Sequence, residues 1–327
     1  MTEAPIPLRS HPVQLRILIA SDTTGVQTKG LGARLRRRGA IVATAPLAAI
    51  GFDTERPAGI SIPAFGGALP DAVLVRSVAA GSFEAITRRL GILHALERLS
   101  VPVWNSAQAI ERCVDKSMTT FLLRNAGVPT SPTFTVENLE MAQAIAEREL
   151  PQTPLVLKPL FGAQGRGIRL IRTLADLPAE EEVNGVYYLQ HYIPRPGPPF
   201  SDFRVFVCAG KAVAMMSRRG EGWITNVFQG GAPERIEGLD ETELARLAIA
   251  ATAAVGADFT GVDIVAAEDG TLFVLEVNSM PAWSGLQSVA TVDISDAVAE
   301  ALLAFLAGRV GQDEASRPYR LAAPANS

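Results

Sequence analysis

The segment from Gly261 to Asn278 alternates aliphatic residues with acidic and amide residues around an Asp269-Gly270 pair. Asp-Gly is a favoured centre for a two-residue hairpin turn. With those two residues as the turn, Asp263 faces Glu276, Val262 faces Val277 and Ile264 faces Leu275, while side chains alternate between the two faces. One face is then aliphatic, and the other carries Asp263, Glu276 and, two residues on, Asn278. Like charges directly opposite each other destabilise a sheet unless a cation neutralises them. Two carboxylates and an amide oxygen form a hard-oxygen set suited to Mg²⁺, which commonly takes one or two carboxylates together with substrate phosphates. A solvated outer face is the alternative reading, and a longer loop around Glu268 to Thr271 would slip the register by one.

Lys158 ends an apolar run, Leu155-Val-Leu-Lys158, and is followed by a glycine-rich turn containing Gly162, Gln164, Gly165 and Gly167. Such a turn lets backbone N–H groups approach an anion closely, and an adjacent lysine adds a compact charge for phosphate. It is not a Walker A loop, because no Gly-Lys-Ser/Thr ends it and no helix pattern starts there. A plain turn is the competing reading. Lys116 lies on a helix, where lysines are usually solvated. Yet this chain has 26 arginines and only four lysines, at 29, 116, 158 and 211. Asp202 and Arg204 alternate along one strand, and Arg218 and Arg219 follow the next. That cluster suits either an anionic intermediate or a salt-bridged rim.

These groups need a scaffold. At 327 residues the chain exceeds a single small domain. Leu15 to Ala20, Ala72 to Ser77 and Val101 to Trp104 read as strands. Lys29 to Gly39 and Ser82 to Leu99 read as helices, and the alternation implies a parallel sheet. A helix from Ser106 to about Gly127 follows, with Pro129 and Pro132 as a linker. From Pro154 the pattern changes to short strands at 155–158, 168–171, 187–190 and 203–208. A helix at 241–256, the hairpin and a helix at 294–307 complete it. The expected organisation is an α/β (α+β) fold with units at 1–105, 106–186 and 187–310 and a flexible tail at 311–327.

A formal charge of −4 and a pI near 5.6 give no general field for nucleic acid or an anionic membrane. No stretch approaches the roughly 20 apolar residues a membrane helix needs, and nothing at the start reads as a secretion signal. A cytoplasmic protein is the expectation, with homo-oligomerisation left open. Cys113 and Cys208 are too far apart in sequence and too few for a disulfide framework or zinc site. Three histidines, at 11, 94 and 191, leave little material for a histidine-based triad.

In order along the chain, the sequence contains Asn105-Ser106, Asp115-Lys116, Val156-Leu-Lys158 with its glycine loop, Gln190-His-Tyr-Ile193, and Asp202-Phe-Arg204. Asn226 with Gly230-Gly231, Gly261-Val-Asp-Ile264, and Glu276-Val-Asn278 with Pro281 follow. In this order it resembles the ATP-grasp carboxylate–amine ligases of the RimK glutamate-ligase type, over roughly Val101 to Leu306. The resemblance implies an ATP-grasp fold behind a Rossmann-like pre-ATP-grasp domain. It implies that Lys116 and Lys158 contact ATP phosphates, that the Gly162 to Gly167 loop closes over them, and that Gln190, His191, Tyr192 and Ile193 form the adenine hinge. Asp202 falls where the ribose is contacted, Thr225 and Asn226 border the phosphates, and Arg204 and Arg218 steady an acyl phosphate. Asp263, Glu276 and Asn278 would hold two Mg²⁺, or Mn²⁺ in their place.

The chain departs from that pattern at three places. His191 stands where such enzymes usually have Glu, Ile224 where they have an arginine, and the loop after Asn278 is longer and more aromatic. Arg76 and Ser77, with Trp104, Trp283 and Ser284, therefore suggest a flat small-molecule acid as acceptor, as in ATP-grasp proteins of tetrahydromethanopterin-type cofactor synthesis. The expected reaction joins glutamate or a related amino acid to that acid through an acyl phosphate. An ATP-grasp kinase and a non-catalytic nucleotide-binding regulator are the alternatives, and the complete metal set speaks against the second.

Overall fold

The computed structural model describes residues 14–162, 165–236 and 241–315. The chain divides into two compact units, Met1–Pro102 and Val103–Ser327.

In the first unit the strand Arg16–Ala20 pairs in parallel with Ile41–Ala45 on one side and Ala72–Val75 on the other. Ile17, Leu18, Ile19, Val73 and Leu74 are fully buried, as expected of strands covered on both faces. The Ile41–Ala45 strand was not foreseen, because its largely exposed residues give no continuous apolar run. The helix Val26–Arg37 starts earlier than its sequence pattern indicates. Phe83–Arg98 is capped by Ser82, whose side chain accepts from the Ala85 N–H.

The second unit contains two antiparallel sheets. The first runs in the order 133–136, 187–191, 155–158, 169–171, with the helix Leu139–Glu149 packed on Leu155, Leu157, Tyr187 and Leu189. The second runs 232–234, 211–220, 200–208, 259–266, 272–278. The helix Glu241–Val255 buries Leu244, Leu247, Ala248 and Ala251 against its Val205, Val207, Val262 and Ile264 face.

Among the elements expected in the second unit, three differ. The helix expected from Ser106 to Gly127 is two helices, Ala107–Val114 and Lys116–Asn125. Asp115 leaves helical geometry between them and caps the second, its Oδ1 accepting from Ser117 and Met118 N–H. The final helix continues to Ala315, beyond 307, through Gly308 and Gly311. The rest of the expected tail lies outside the described residues.

The third difference is in the hairpin. Its tip is a longer loop, in which the Ala267 N–H donates to Thr271 and the Gly270 N–H donates to Ala267, with Gly270 at φ 85°. Ile264 pairs with Val274, not Leu275, and a bulge between Asp263 and Ile264 restores the register. The one-residue slip at the tip and the bulge cancel, so Asp263 does face Glu276. No helix among the described residues is long and apolar enough to cross a membrane.

Candidate active site

A cleft of about 860 Å³ in the second unit is lined by both sheets. The first sheet contributes Lys158 and Gln190. The second contributes Asp202, Arg218, Asp263 and Glu276, and Lys116 enters from the start of its helix. The break at Asp115 puts Lys116 at a helix N-terminus, and its Nζ donates to the carbonyls of Leu160 (3.3 Å) and Gly162 (3.0 Å) at the head of the glycine loop. Gly165 and Gly167 have φ of 70° and 72°, where a side chain is strained. A Cβ on Gly165 would also lie 2.6 Å from Asn226 Oδ1. Gln164 lies outside the described residues.

The Lys158 Nζ donates to Gln190 Oε1 at 2.6 Å, and the Gln190 amide donates on to Thr133 Oγ1. Burial pushes the Lys158 amine down to about 8, with the charge of Lys116 adding to the shift and Glu276 and Asp263 opposing it. A lysine so placed gains from any anion that enters.

On the second sheet one row crosses three strands: Arg204 opposite Asp263, and Asp263 opposite Glu276. The cation that the paired carboxylates require is therefore built into the sheet. Arg204 donates from Nε to Asp263 Oδ1 and from Nη2 to Oδ2, the latter at 2.7 Å. Arg218 bonds Asp202 through both Nε and Nη2, at 2.7 and 2.6 Å, and its Nη2 lies 3.1 Å from Asp263 Oδ1. Asp202, Arg218 and Asp263 are 6%, 3% and 4% exposed, so this is a buried network and not a solvated rim. Burial opposes ionisation of Asp263, but Arg204 and Arg218 outweigh it and hold its carboxyl below the usual range. Burial likewise works against the Arg218 charge, and the two aspartates more than restore it. Asn278 Nδ2 makes only a long bond to the Gly261 carbonyl, 3.4 Å, so its Oδ1 is left to accept or to ligate. Among the described residues no three His, Cys, Asp or Glu side chains converge. A metal held here would draw on Asp263 and Glu276, with that amide or substrate phosphates completing the set.

Asn105 holds the base of this arrangement. It is fully buried, donates to the carbonyls of Phe259 and Ser279, and accepts from the N–H groups of Asp258 and Phe259. One side chain thus ties the entry and exit of the acidic hairpin together.

All four residues of the expected hinge, 190–193, line the cleft. The His191 N–H donates to Pro132, its carbonyl accepts from Ser131, and the Tyr192 N–H donates to Pro154. These groups are committed within the protein. The His191 ring is turned to Glu149 at 2.8 Å. Among the described residues the Ile193 N–H has no acceptor and remains for a ligand. Thr225 lines the cleft with its Oγ1 buried and without a partner.

The expected acceptor residues fall in different units. Arg76 and Ser77 belong to the first unit, where burial pushes the Arg76 guanidinium down to about 9 and Ser77 Oγ donates to Asp22. Trp283 does not line the cleft as a substrate platform. It is 2% exposed and packs edge-on against Phe206, because the aromatic loop folds into the core. Trp104 is equally buried, beside Phe259 and Phe305. Ser284 is exposed at the start of a short helix.

Several cleft residues were missed, Leu275, Trp223 and Arg195 among them. Leu275, expected in the core opposite Ile264, lines the cleft because the bulge turns it there. Trp223 lines it edge-on to Tyr192. Arg195 also lines it, donating to the Trp223 carbonyl while its Nε has no acceptor. An arginine set among prolines at 194, 196, 198 and 199 was a visible signal for the last. A bulge leaves none in the sequence.

Residues 113–302 match the model of the RimK-like ATP-grasp domain. The chain is 37% identical over 213 residues to the tetrahydromethanopterin:alpha-L-glutamate ligase of Methanococcus maripaludis, covering 63% of this chain and 70% of that protein. It is 34% identical over 246 residues to the protein of the same name in Methanocaldococcus jannaschii, covering 72% and 80%. Among solved structures, the ATP-grasp ligase PsnB complexed with minimal precursor, Mg and ADP superposes with a TM-score of 0.65 at 22% identity, over 89% of this chain and 98% of that one. That likeness shows the ATP-grasp fold. The chain belongs to the RimK-like ATP-grasp family.

Proposed function

We propose that the protein is an ATP-dependent carboxylate–amine ligase that joins glutamate to a small-molecule, pterin-type acid. The observation that carries this reading is the Asp263–Glu276 pair, flanked by Arg204 and facing Lys158 across one cleft. The relatives named as tetrahydromethanopterin:alpha-L-glutamate ligases support the choice of glutamate and of a pterin-type acceptor.

Val156, Ile168, Ile193 and Leu275 give the cleft aliphatic walls suited to a flat base, and the Ile193 N–H supplies a donor to it. Asp202 and Thr225 face the sugar and phosphates. Lys116, Lys158 and the N–H groups of the glycine loop take the β- and γ-phosphates. Asp263, Glu276 and Asn278 fit Mg²⁺, two ions with Mn²⁺ substituting, because they offer hard oxygens in register. When bound, the metal neutralises phosphate charge.

The acid's carboxylate oxygen attacks the γ-phosphorus, ADP leaves, and the acyl phosphate is steadied by Arg204 and Arg218. The glutamate nitrogen then attacks the acyl carbon, phosphate leaves, and the amine proton passes to phosphate or solvent. Such transfer depends on positioning and charge, so no protein nucleophile is required.

The test is incubation with ATP, Mg²⁺, glutamate and candidate pterin, furan and peptide acids, read by mass. Phosphate release should require the amine, and phosphate retained on the product would show a kinase instead. Glu276→Ala should lower turnover by about a hundred- to a thousandfold, the loss associated with removing one preorganised electrostatic group, while leaving the far-UV dichroism unchanged.

A further inference from the structure

Both oxygens of Asp263 are already taken. Oδ1 accepts from Arg204 Nε and lies 3.1 Å from Arg218 Nη2, and Oδ2 accepts from Arg204 Nη2 at 2.7 Å. Glu276, directly across the strand pair, has no such cation among the described residues. The fit of Arg204 is built into the sheet. It lies on the strand beside Asp263, and Gly261 lacks the Cβ that would stand 3.2 Å from Arg204 Cδ and Nη1. A divalent ion and a bidentate guanidinium want the same two oxygens, and charge-assisted bidentate pairs are among the stronger polar contacts.

Resting on the reading of Asp263 and Glu276 as metal ligands, we propose that Arg204 and the metal compete for Asp263. Without nucleotide, Arg204 holds the carboxylate and disfavours a bare ion. Metal arriving with nucleotide phosphates has enough partners to displace it. The freed guanidinium then turns to the incoming carboxylate of the acid. Arg218 does not take part in this exchange, since its Nε and Nη2 are anchored on Asp202. Binding is thereby ordered, metal–nucleotide before acid, so that the cation that grips the acid is exposed only when the phosphoryl donor is present.

Mn²⁺ binding to the whole protein, read by electron paramagnetic resonance without nucleotide, tests this. Arg204→Met should bind Mn²⁺ at least about tenfold more tightly than the unsubstituted protein, a gain of about 1.4 kcal/mol, although it loses ligation. Adding Glu276→Gln to that variant should abolish the gain. Thermal denaturation with and without Mn²⁺ gives a second readout, in which Arg204→Met should be raised more than the parent. If Arg204→Met binds Mn²⁺ no better, while the parent binds Mn²⁺ with ATP, competition is overturned and the ligase reading stands. If Mn²⁺ fails to bind even with ATP, the metal assignment itself falls and takes the competition with it.

Discussion

Lys158 and Arg195 show how far single residues shape the cleft. Burial disfavours the charge of the Lys158 amine and pushes it down to about 8. In folding, that depression costs stability below about pH 8, where the amine is charged in both states, and the cost vanishes above its ordinary value of 10.5. A triphosphate reverses the balance by stabilising the charged form. Nucleotide binding should therefore take up a proton from about pH 8 upward, affinity should weaken as pH rises through that window, and uptake should fade below about pH 7. Calorimetry in buffers of different ionisation enthalpy at about pH 8.5 measures it, and zero uptake would place Lys158 away from the phosphates. Arg195→Leu should weaken nucleotide binding about tenfold, since a hydrogen bond to a charged group is worth about 1.5 kcal/mol or more. Equal affinity in that variant by calorimetry would limit Arg195 to holding the Trp223 carbonyl. The lysine was legible in the sequence because an apolar strand and a glycine-rich turn bracket it. Arg195 left only its setting among prolines as a signal, since nothing local says that a proline-rich loop bends into a cleft.

At the scale of elements, the acidic hairpin depends on how it is pinned. Asn105→Ala leaves two carbonyls and two N–H groups near Phe259 and Ser279 without their partner. With about 1–3 kcal/mol for a buried group left unsatisfied, urea denaturation should show a loss of about 3 kcal/mol or more. A loss below about 1 kcal/mol would mean that the hairpin closes without the amide. The facing of Asp263 and Glu276 was readable in the sequence although the turn it was derived from is different. The pairing of Ile264 with Leu275 was not, because a bulge is set by how the strand packs against its neighbours. The break at Asp115 was likewise hidden. Aspartate caps a helix well, but the apolar pattern runs on through 107–125 and reads as one element. Trp283 was misjudged in the other direction, since an aromatic residue in a loop looks like a ligand platform until the core claims it.

In the whole molecule, every described residue lining the cleft belongs to the second unit. Mg·ATP at about a hundred times its Kd contributes about 2.7 kcal/mol to whatever it binds. Hydrogen exchange should therefore slow in peptides covering 155–280, while those within 16–98 keep their rates. Equal slowing in both would contradict a cleft confined to one unit. The broad class, strands alternating with helices and then short antiparallel strands, was legible because period and turn chemistry change near Pro154. The extra parallel strand at 41–45 was not, as an exposed edge carries little hydrophobic signal. The scarcity of lysine has a practical consequence. With only four amines on side chains, and Lys158 displaced to about 8, an amine-selective acylating probe at mild alkalinity meets the Lys158 amine largely in its neutral, nucleophilic form. Labelling of Lys158 should be blocked by nucleotide, which makes the cleft addressable by chemistry without any substitution in the chain.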